Sequence, residues 1–380
     1  MNRWMVFFIG AAMVLASRNP AAAAAGGQMR VENPGRPAAK NAGRIVKLEE
    51  VFRIQDDGQK VVFRGPSDLS LGPDGSLFLT DFAEGPRLYR FGPDGKLMFK
   101  ILKNGQGPRE CEHLSGYVFS DDRLRVLSWV PPKVMDFGPD GRFLKGSRVF
   151  ENVKGLWFLS ASAGKIFGIR NEMFSMQAFG EEGVFTVPNT LYEISPDFQT
   201  WRKLREFPVR NYIKNRRGMR LDAIAAAAAG TSLYVVHSAE YRIEQIDLPT
   251  GRPLRTISRL YDRPKPLKKD TEEETDPELR GSKIPAGLYP HAFDIGGLQA
   301  FPDRFWVFTS AFRGGTGEQL IDVFDAEGRY ADCFYLQFPA DGRNRRDFGS
   351  RGVVSGDGFY YLPESDADGL ISIAKYRILE

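Results

Sequence analysis

The sequence predicts an all-β chain: a six-bladed β-propeller of four-stranded antiparallel blades, its ring closed by an N-terminal strand that pairs with the C-terminal blade. Three observations carry this expectation. A unit made of small or apolar residues, a tight Gly/Asp turn and an aromatic or β-branched run recurs six times, from Gly65–Asp81 (GPSDLSLGPDGSLFLTD) to Gly349–Ser365 (GSRGVVSGDGFYYLPES). Five of these hairpins are followed by a second one, as in Arg87–Ile101 (RLYRFGPDGKLMFKI), which gives four-stranded units repeated along one chain. The last unit ends at Gly369–Glu380 without a fourth strand, while a spare strand, Arg44–Ile54, precedes the first. Pairing the two removes both exposed edges.

Taken in order, Arg3, the apolar run Trp4–Ala16 and the small residues up to Ala25 read as a secretory signal, 1–25, cleaved at Ala23 or Ala25. Ser17, Arg18, Asn19 and Pro20 break the run short of the ~20 apolar residues that span a membrane, so no stable anchor is expected after cleavage. Residues 26–43, rich in Ala, Gly, Pro and Asn, read as a flexible leader. The propeller is expected over 44–380, with a closing strand at 44–54 and blades near 65–102, 114–150, 155–207, 222–259, 292–338 and 348–380. The fourth blade opens on DAIAAAAAGTSLYVVHS, Asp222–Ser238. Consecutive alanines favour helix. Register with the other units instead makes Ala223–Ala229 an innermost strand, where crowding about the axis favours small side chains.

Charge excludes one class of partner. Lys and Arg number 52 against 48 Asp and Glu, a net +4, and they are interleaved with no basic face for a nucleic acid. The two cysteines, Cys111 and Cys333, fall in distant units and are expected to be separate thiols even in an exported chain.

Connections at one end of the blades are short and stereotyped, as in GPDG at Gly72, Gly92 and Gly138. At the other end they are long and varied: Asn104–His113, Asn171–Thr190, Pro208–Asp222, Tyr261–His291 and Phe312–Glu318. Long loops on a rigid scaffold are where recognition concentrates. Within one of them, 263–283 reads as a charged loop insertion. Candidate ligand-binding groups at the channel mouth are Asp68, Arg109, Glu110, Lys154, Arg220, Asp222, Asp294, Arg346 and Arg351, charges able to hold an anionic or polyhydroxylated ligand. His113, His237 and His291 map to the same end, and three imidazoles with an open position would suit a metal. Asp81, just after LFLT, is expected to fasten a strand end by hydrogen bonds to backbone. No G-x-S-x-G elbow, H-E-x-x-H pair or phosphate-cradling loop occurs.

The stretch Leu69–Glu110 (LSLGPDGSLFLTDFAEGPRLYRFGPDGKLMFKILKNGQGPRE) resembles the NHL-type repeats of exported bacterial six-bladed propellers, through Asp81, Asp94, Gly95 and the Gly105, Gln106, Gly107, Pro108, Glu110 series. The likeness is clear over Gly65–Ser147. Further on, Trp129, Arg170, His237, Thr309 and Glu364 stand where the pattern often has Asp. The resemblance implies a propeller of the bacterial envelope, in a group that includes binding scaffolds and a zinc-dependent lyase with His ligands.

The expected function is that of an exported, periplasmic or secreted, non-catalytic module that binds a protein, peptide or glycan on its long-loop face, without a cofactor. The alternative is a hydrolase or lyase at the channel mouth, assisted by zinc or calcium through His113, His237 and His291.

Overall fold

The sequence G-P-D-G folds the same way at Gly72, Gly92 and Gly138. In each, the first glycine N–H closes the hairpin on the carbonyl four residues on (2.8–2.9 Å), and the aspartate Oδ1 accepts the N–H two residues after it (3.0–3.2 Å). Turns of this kind punctuate a chain of β-strands. The structure, a computed structural model, describes residues 28–82, 85–149, 153–175, 182–214, 217–264, 294–313, 317–338, 352–366 and 368–379, without the side chains of 174, 175 and 214–220. The expected signal, 1–25, and nearly all of the charged insertion, 263–283, lie outside the described residues. No helix among the described residues is long and apolar enough to cross a membrane.

Strands β1 (Met29–Asn33) and β2 (Arg44–Gln55) come first. A four-stranded sheet follows, β3 (Pro66–Leu71), β4 (Leu77–Asp81), β5 (Arg87–Phe91) and β6 (Leu97–Ile101), then a second, β7 (His113–Ser120), β8 (Arg123–Val130), β9 (Pro132–Phe137) and β10 (Phe143–Arg148). The third sheet has five strands: β11 (Leu156–Ser162), β12 (Lys165–Asn171), β13 (Gly183–Ile194), β14 (Trp201–Lys214) and β15 (Arg217–Arg220). The fourth holds β16 (Ile224–Ala229), β17 (Ser232–His237), β18 (Arg242–Asp247) and β19 (Arg252–Arg259), with β1 added in parallel to β19. The remaining strands are β20 (Ile295–Ala300), β21 (Arg304–Arg313), β22 (Glu318–Asp325), β23 (Tyr330–Gln337), β24 (Val353–Val354), β25 (Phe359–Ser365) and β26 (Ile371–Leu379). They form one eight-stranded sheet in the order β20-β21-β22-β23-β2-β26-β25-β24.

The expected terminal pairing is present: β2 runs antiparallel to β26 from Lys47↔Leu379 to Gln55↔Ser372. Its first four residues also pair in parallel with Phe334–Gln337 of β23. Two expectations are corrected. Part of the segment read as a flexible leader, Met29–Asn33, is a strand, because Asn33 ties it down: its Nδ2 donates to Ser258 and Gly328 carbonyls and its Oδ1 accepts the Tyr330 N–H. Much of the stretches read as loops, Asn171–Thr190 and Pro208–Asp222, is strand in β13, β14 and β15.

Period-two alternation sends successive side chains of each strand to opposite neighbours. Phe78 packs toward the second sheet, while Leu77 and Leu79 pack toward β2, β25 and β26. The alanine run does the same: Ala226 and Ala228 face the third sheet, Ala225 and Ala227 face β20–β22. Five residues that favour helix in isolation are thus held as strand by two packed neighbours. Apolar clusters link each sheet to the next, and the last, with Ile54, Phe63, Tyr89 and Ile373, returns to the first. Cys111 and Cys333 are buried, free and in different clusters, as expected.

A second recurring contact locks neighbours together. Gly95, in a β5–β6 turn at φ +80°, sits against the Phe52 ring of β2, where an added Cβ would lie 2.6 Å from a ring carbon. Gly141 meets Phe99 of the preceding sheet in the same way, and Gly251 and Gly328 meet Leu204 and Ile257. Glycine is needed both for its backbone angle and for the side chain packed against it. Gly95→Ala should therefore cost about 3 kcal/mol, left-handed strain plus overpacking, whereas Gly164→Ala, at φ +73° with open space around it, should cost about 1. Urea unfolding midpoints of the two variants check the difference.

Candidate functional site

The inner strands β3, β7, β11 and β16 enclose a central channel with a cavity of about 940 Å³. Gly72, Pro73, Gly230 and Pro302, all in or beside short turns, form its edge at one rim. Its wall is mostly apolar and aromatic, with Phe119, Trp157 and Leu159 among the contributors. Its polar surface comes from hydroxyls, backbone and one carboxylate among the described residues. The Ser70 hydroxyl shares a 2.8 Å hydrogen bond with the Tyr117 hydroxyl across two sheets. Asp68 is the one charged side chain in that wall among the described residues. It is open to the channel's water, yet protein surrounds it on its other sides. That depth raises its carboxyl above the ordinary range, against the opposing pull of hydrogen bonds from Thr80 and Ser67.

The other end of the sheets is elaborated by strand, not only by loop. β12 pairs with β13 only from Asn189 to Ile194, so Gly183–Pro188 runs on beyond it, paired with Pro208–Ile213 of β14. β15 then folds back along Asn211–Lys214. The result is a three-stranded projection with two faces. Val187, Phe207, Val209 and Ile213 are buried on one, while Val184, Thr186 and Pro208 are exposed on the other. Arg210 clamps its base with two 2.7 Å bonds to Asp222, and the Tyr212 hydroxyl donates to Glu182 at 2.7 Å. At the same rim β21 extends past its sheet to pair Phe312↔Gln319 and Arg313↔Glu318.

Four of the nine candidate charges, Glu110, Lys154, Asp222 and Asp294, are taken up by their neighbours. Glu110 accepts the Gly107 N–H at 2.9 Å and covers Gly105, where an added Cβ would lie 2.4 Å from its carboxylate oxygen. Lys133 donates to the Gly107 carbonyl, and Gln106 to Glu112 at 2.9 Å, so the Gly-Gln-Gly-Pro-x-Glu loop is a self-locked structure. Arg109 and Glu110 line a groove on the flank beside Lys100 and Phe137, away from the channel wall. Lys154 lies over Trp129, 5.0 Å from the ring centroid. Asp294 is buried and pairs with Arg263 at 2.8 Å. Arg220 falls in β15 with its side chain outside the described residues, as are Arg346 and Arg351 altogether. Asp68 is thus the candidate that the structure places in the channel. Asp81 has its expected role: its Oδ2 accepts the N–H groups of Arg64 (2.7 Å) and Gly65 (3.1 Å). Ser238 supplies the equivalent bond in the fourth sheet, accepting the Ala223 N–H at 2.8 Å, which explains why the neighbouring His237 need not be Asp.

The histidines are engaged separately. His113 stacks on Trp129 with centroids 4.6 Å apart, His237 Nε2 lies 3.1 Å from Glu244 Oε1, and His291 is outside the described residues. Among the described residues no group of three His, Cys, Asp or Glu side chains could hold a metal ion.

No protein-family model matches the chain, and none of the curated proteins matches it in sequence. Solved structures do. A Bacteroides fragilis protein described as exported aligns with a TM-score of 0.54 and 11% identity, over 93% of this chain and 100% of its own. A calcium-binding regucalcin of Agrobacterium tumefaciens aligns at 0.45 and 12% identity (89% and 97%). A β-propeller domain from Myceliophteria thermophila aligns at 0.41 and 10% identity (87% and 99%). At these identities the likeness concerns the fold alone. The fold is a β-propeller. Each meander is a blade, and the channel is the axial space between the inner strands.

A buried charge network ties the third blade to the fourth. Glu244, 4% exposed, accepts from Arg205, from Arg242 Nη1 at 2.9 Å and from His237. Burial alone would raise its carboxyl, but the bonds from His237 and Arg205 prevail and bring it down to about 2. A carboxyl depressed in the folded state stabilises fully above its unfolded value and loses that contribution as pH falls. Glu244→Gln should lower stability at pH 7 and flatten the acid-unfolding profile between pH 4.5 and 2, as read by circular dichroism.

Proposed function

We propose that the chain is an exported, non-catalytic binding module, a six-bladed NHL-type propeller that recognises a protein, peptide or glycan with its elaborated rim. The observation that carries this reading is the asymmetry between the rims. One repeats the same tight turn, while the other raises β13, β14 and β15 into a projection whose exposed face has Val184 49% exposed. A rigid β-sheet presenting apolar and polar groups to solvent needs little ordering on binding, which favours affinity. Counting β24-β25-β26-β2 as a blade of its own, fused to its neighbour by four residues of β2, makes six, and the succession of inter-sheet cores supports that count. The locked Gly105–Glu110 loop and the backbone-binding Asp81 support the NHL-type likeness. The apolar run Trp4–Ala16 with its small-residue tail supports export.

Soluble peptidoglycan fragments, oligosaccharides and peptides, screened by thermal shift and biolayer interferometry, test the reading. One class should bind, with Val184→Asp and Thr186→Arg weakening it about tenfold while Lys96→Ser at the opposite rim leaves it unchanged. Turnover of a panel member into product, or loss that follows Lys96 rather than Val184, would overturn the reading in favour of a hydrolase or lyase or of the other rim.

A further inference from the structure

The channel poses an electrostatic question that the elaborated rim does not answer. Its wall combines apolar and aromatic side chains with hydroxyl and backbone groups, and it holds a carboxylate, Asp68, with no ion-pair partner among the described residues. The Thr80 hydroxyl donates to Oδ2 at 3.4 Å and accepts the Asp68 N–H at 3.0 Å, and the Ser67 hydroxyl also bonds the carboxylate. A carboxylate can accept about four hydrogen bonds. Asp68 therefore retains acceptor capacity and an uncompensated charge facing an open space of about 940 Å³.

Position narrows the ligand. Asp68 precedes Gly72 by four residues, so it stands about 13 Å inside the short-turn rim at the rise of an extended strand. Between them the wall is supplied by side chains such as Leu71, Phe119, Leu159 and Ala161, together with Ala228 of the alanine strand. Trp157 and Tyr117 add aromatic surface to the same wall. Among the described residues, no cation in that wall would offset the Asp68 charge against an anion. A divalent cation calls for six or more oxygen ligands, of which this wall offers few charged ones. An organic ammonium needs one carboxylate and aromatic faces, with apolar walls for the chain that carries it.

We propose that the channel binds an organic ammonium borne on an apolar chain, with Asp68 as counter-ion and the short-turn rim as the way in. Asp68, the third residue of β3, stands at the channel end nearer the elaborated rim, but the ligand proposed here is distinct from the one recognised by the β13–β15 projection. Around the carboxylate, Thr80, Ser67 and Ser70 do not titrate, and burial pushes the Tyr117 hydroxyl up, so that it stays neutral. Asp68, its own value raised by burial, is then the group whose protonation releases the ligand as pH falls.

Hexylamine, hexyltrimethylammonium and hexanol, titrated calorimetrically into the full chain, test the proposal. Both ammonium probes should bind at least about tenfold more tightly than hexanol at neutral pH, with the advantage shrinking on acidification. Asp68→Asn should abolish that advantage while leaving far-UV circular dichroism, and binding of any rim ligand, unchanged. The same comparison across pH in the unaltered chain serves if that variant does not fold, since the ammonium advantage should fall as Asp68 is protonated. Hexanol binding as tightly as hexylamine, discrimination surviving in Asp68→Asn, an ammonium advantage unchanged on acidification, or equal stabilisation by calcium chloride alone would each overturn it.

Discussion

The contact on which the rest of the molecule depends is the antiparallel pairing of β2 with β26. It joins one of the first described strands to the last and places β2 between two cores. Val46 contributes to the cluster shared with β20–β23, and Ile54 to the cluster shared with the first blade. A blade cannot bury both faces by itself, so every blade borrows stability from two neighbours. Without β2, β26 would present a bare edge and the cores on either side of it would each lose a wall. Phe52 of the same strand also receives the Gly95 turn, and Lys375 of β26 reaches the Pro93 carbonyl at 3.2 Å while lying over the Phe52, Phe359 and Tyr361 rings. The seam between the chain's two ends is thus held by ladder bonds, apolar burial and a covered cation together.

Buried charge serves the same end at other seams. Asp322 is fully buried and accepts from Arg259, Tyr241 and Tyr330, while the Arg259 guanidinium lies within 5.0 Å of the Tyr241, Tyr261 and Tyr330 ring centroids. The pair spans the fourth blade and the β22–β23 strands. Burying such a pair contributes little net stability by itself, but removing either partner leaves an uncompensated charge in the core. Together with the Glu244 network it makes the alignment of adjacent blades specific, where apolar cores would tolerate sliding.

The two rims follow from one topological fact. In an up-and-down blade, turns within hairpins fall at one end and the remaining connections at the other. The first set is constrained by close contact with the preceding blade, as Gly95 and Gly141 are by Phe52 and Phe99, so it admits little variation. The second set is free to grow. β13 and β14 have grown by extending their ladder beyond β12, which keeps backbone groups paired while raising side chains above the rim.

Much of the architecture was legible in the residues because it is written in local chemistry. Gly-Pro-Asp-Gly turns, strands of period two and repeated small-to-aromatic units specify hairpins wherever they occur, and the register between units was enough to read the alanine run as strand. Asp81 and the separate thiols were readable for the same reason. What lay beyond reach depended on partners distant in the chain. Met29–Asn33 is polar and unremarkable until β19 offers it an edge, and the alternation of Phe207, Val209, Asn211 and Ile213 looks like a loop among its arginines until β13 pairs with it. Glu110, Asp222 and Asp294 were chemically credible ligands in sequence, and only the three-dimensional arrangement assigned them to Gly107, Arg210 and Arg263 and left Asp68 facing the channel. Side-chain type states what a group can do; the neighbours that folding brings to it decide whether that capacity is already spent.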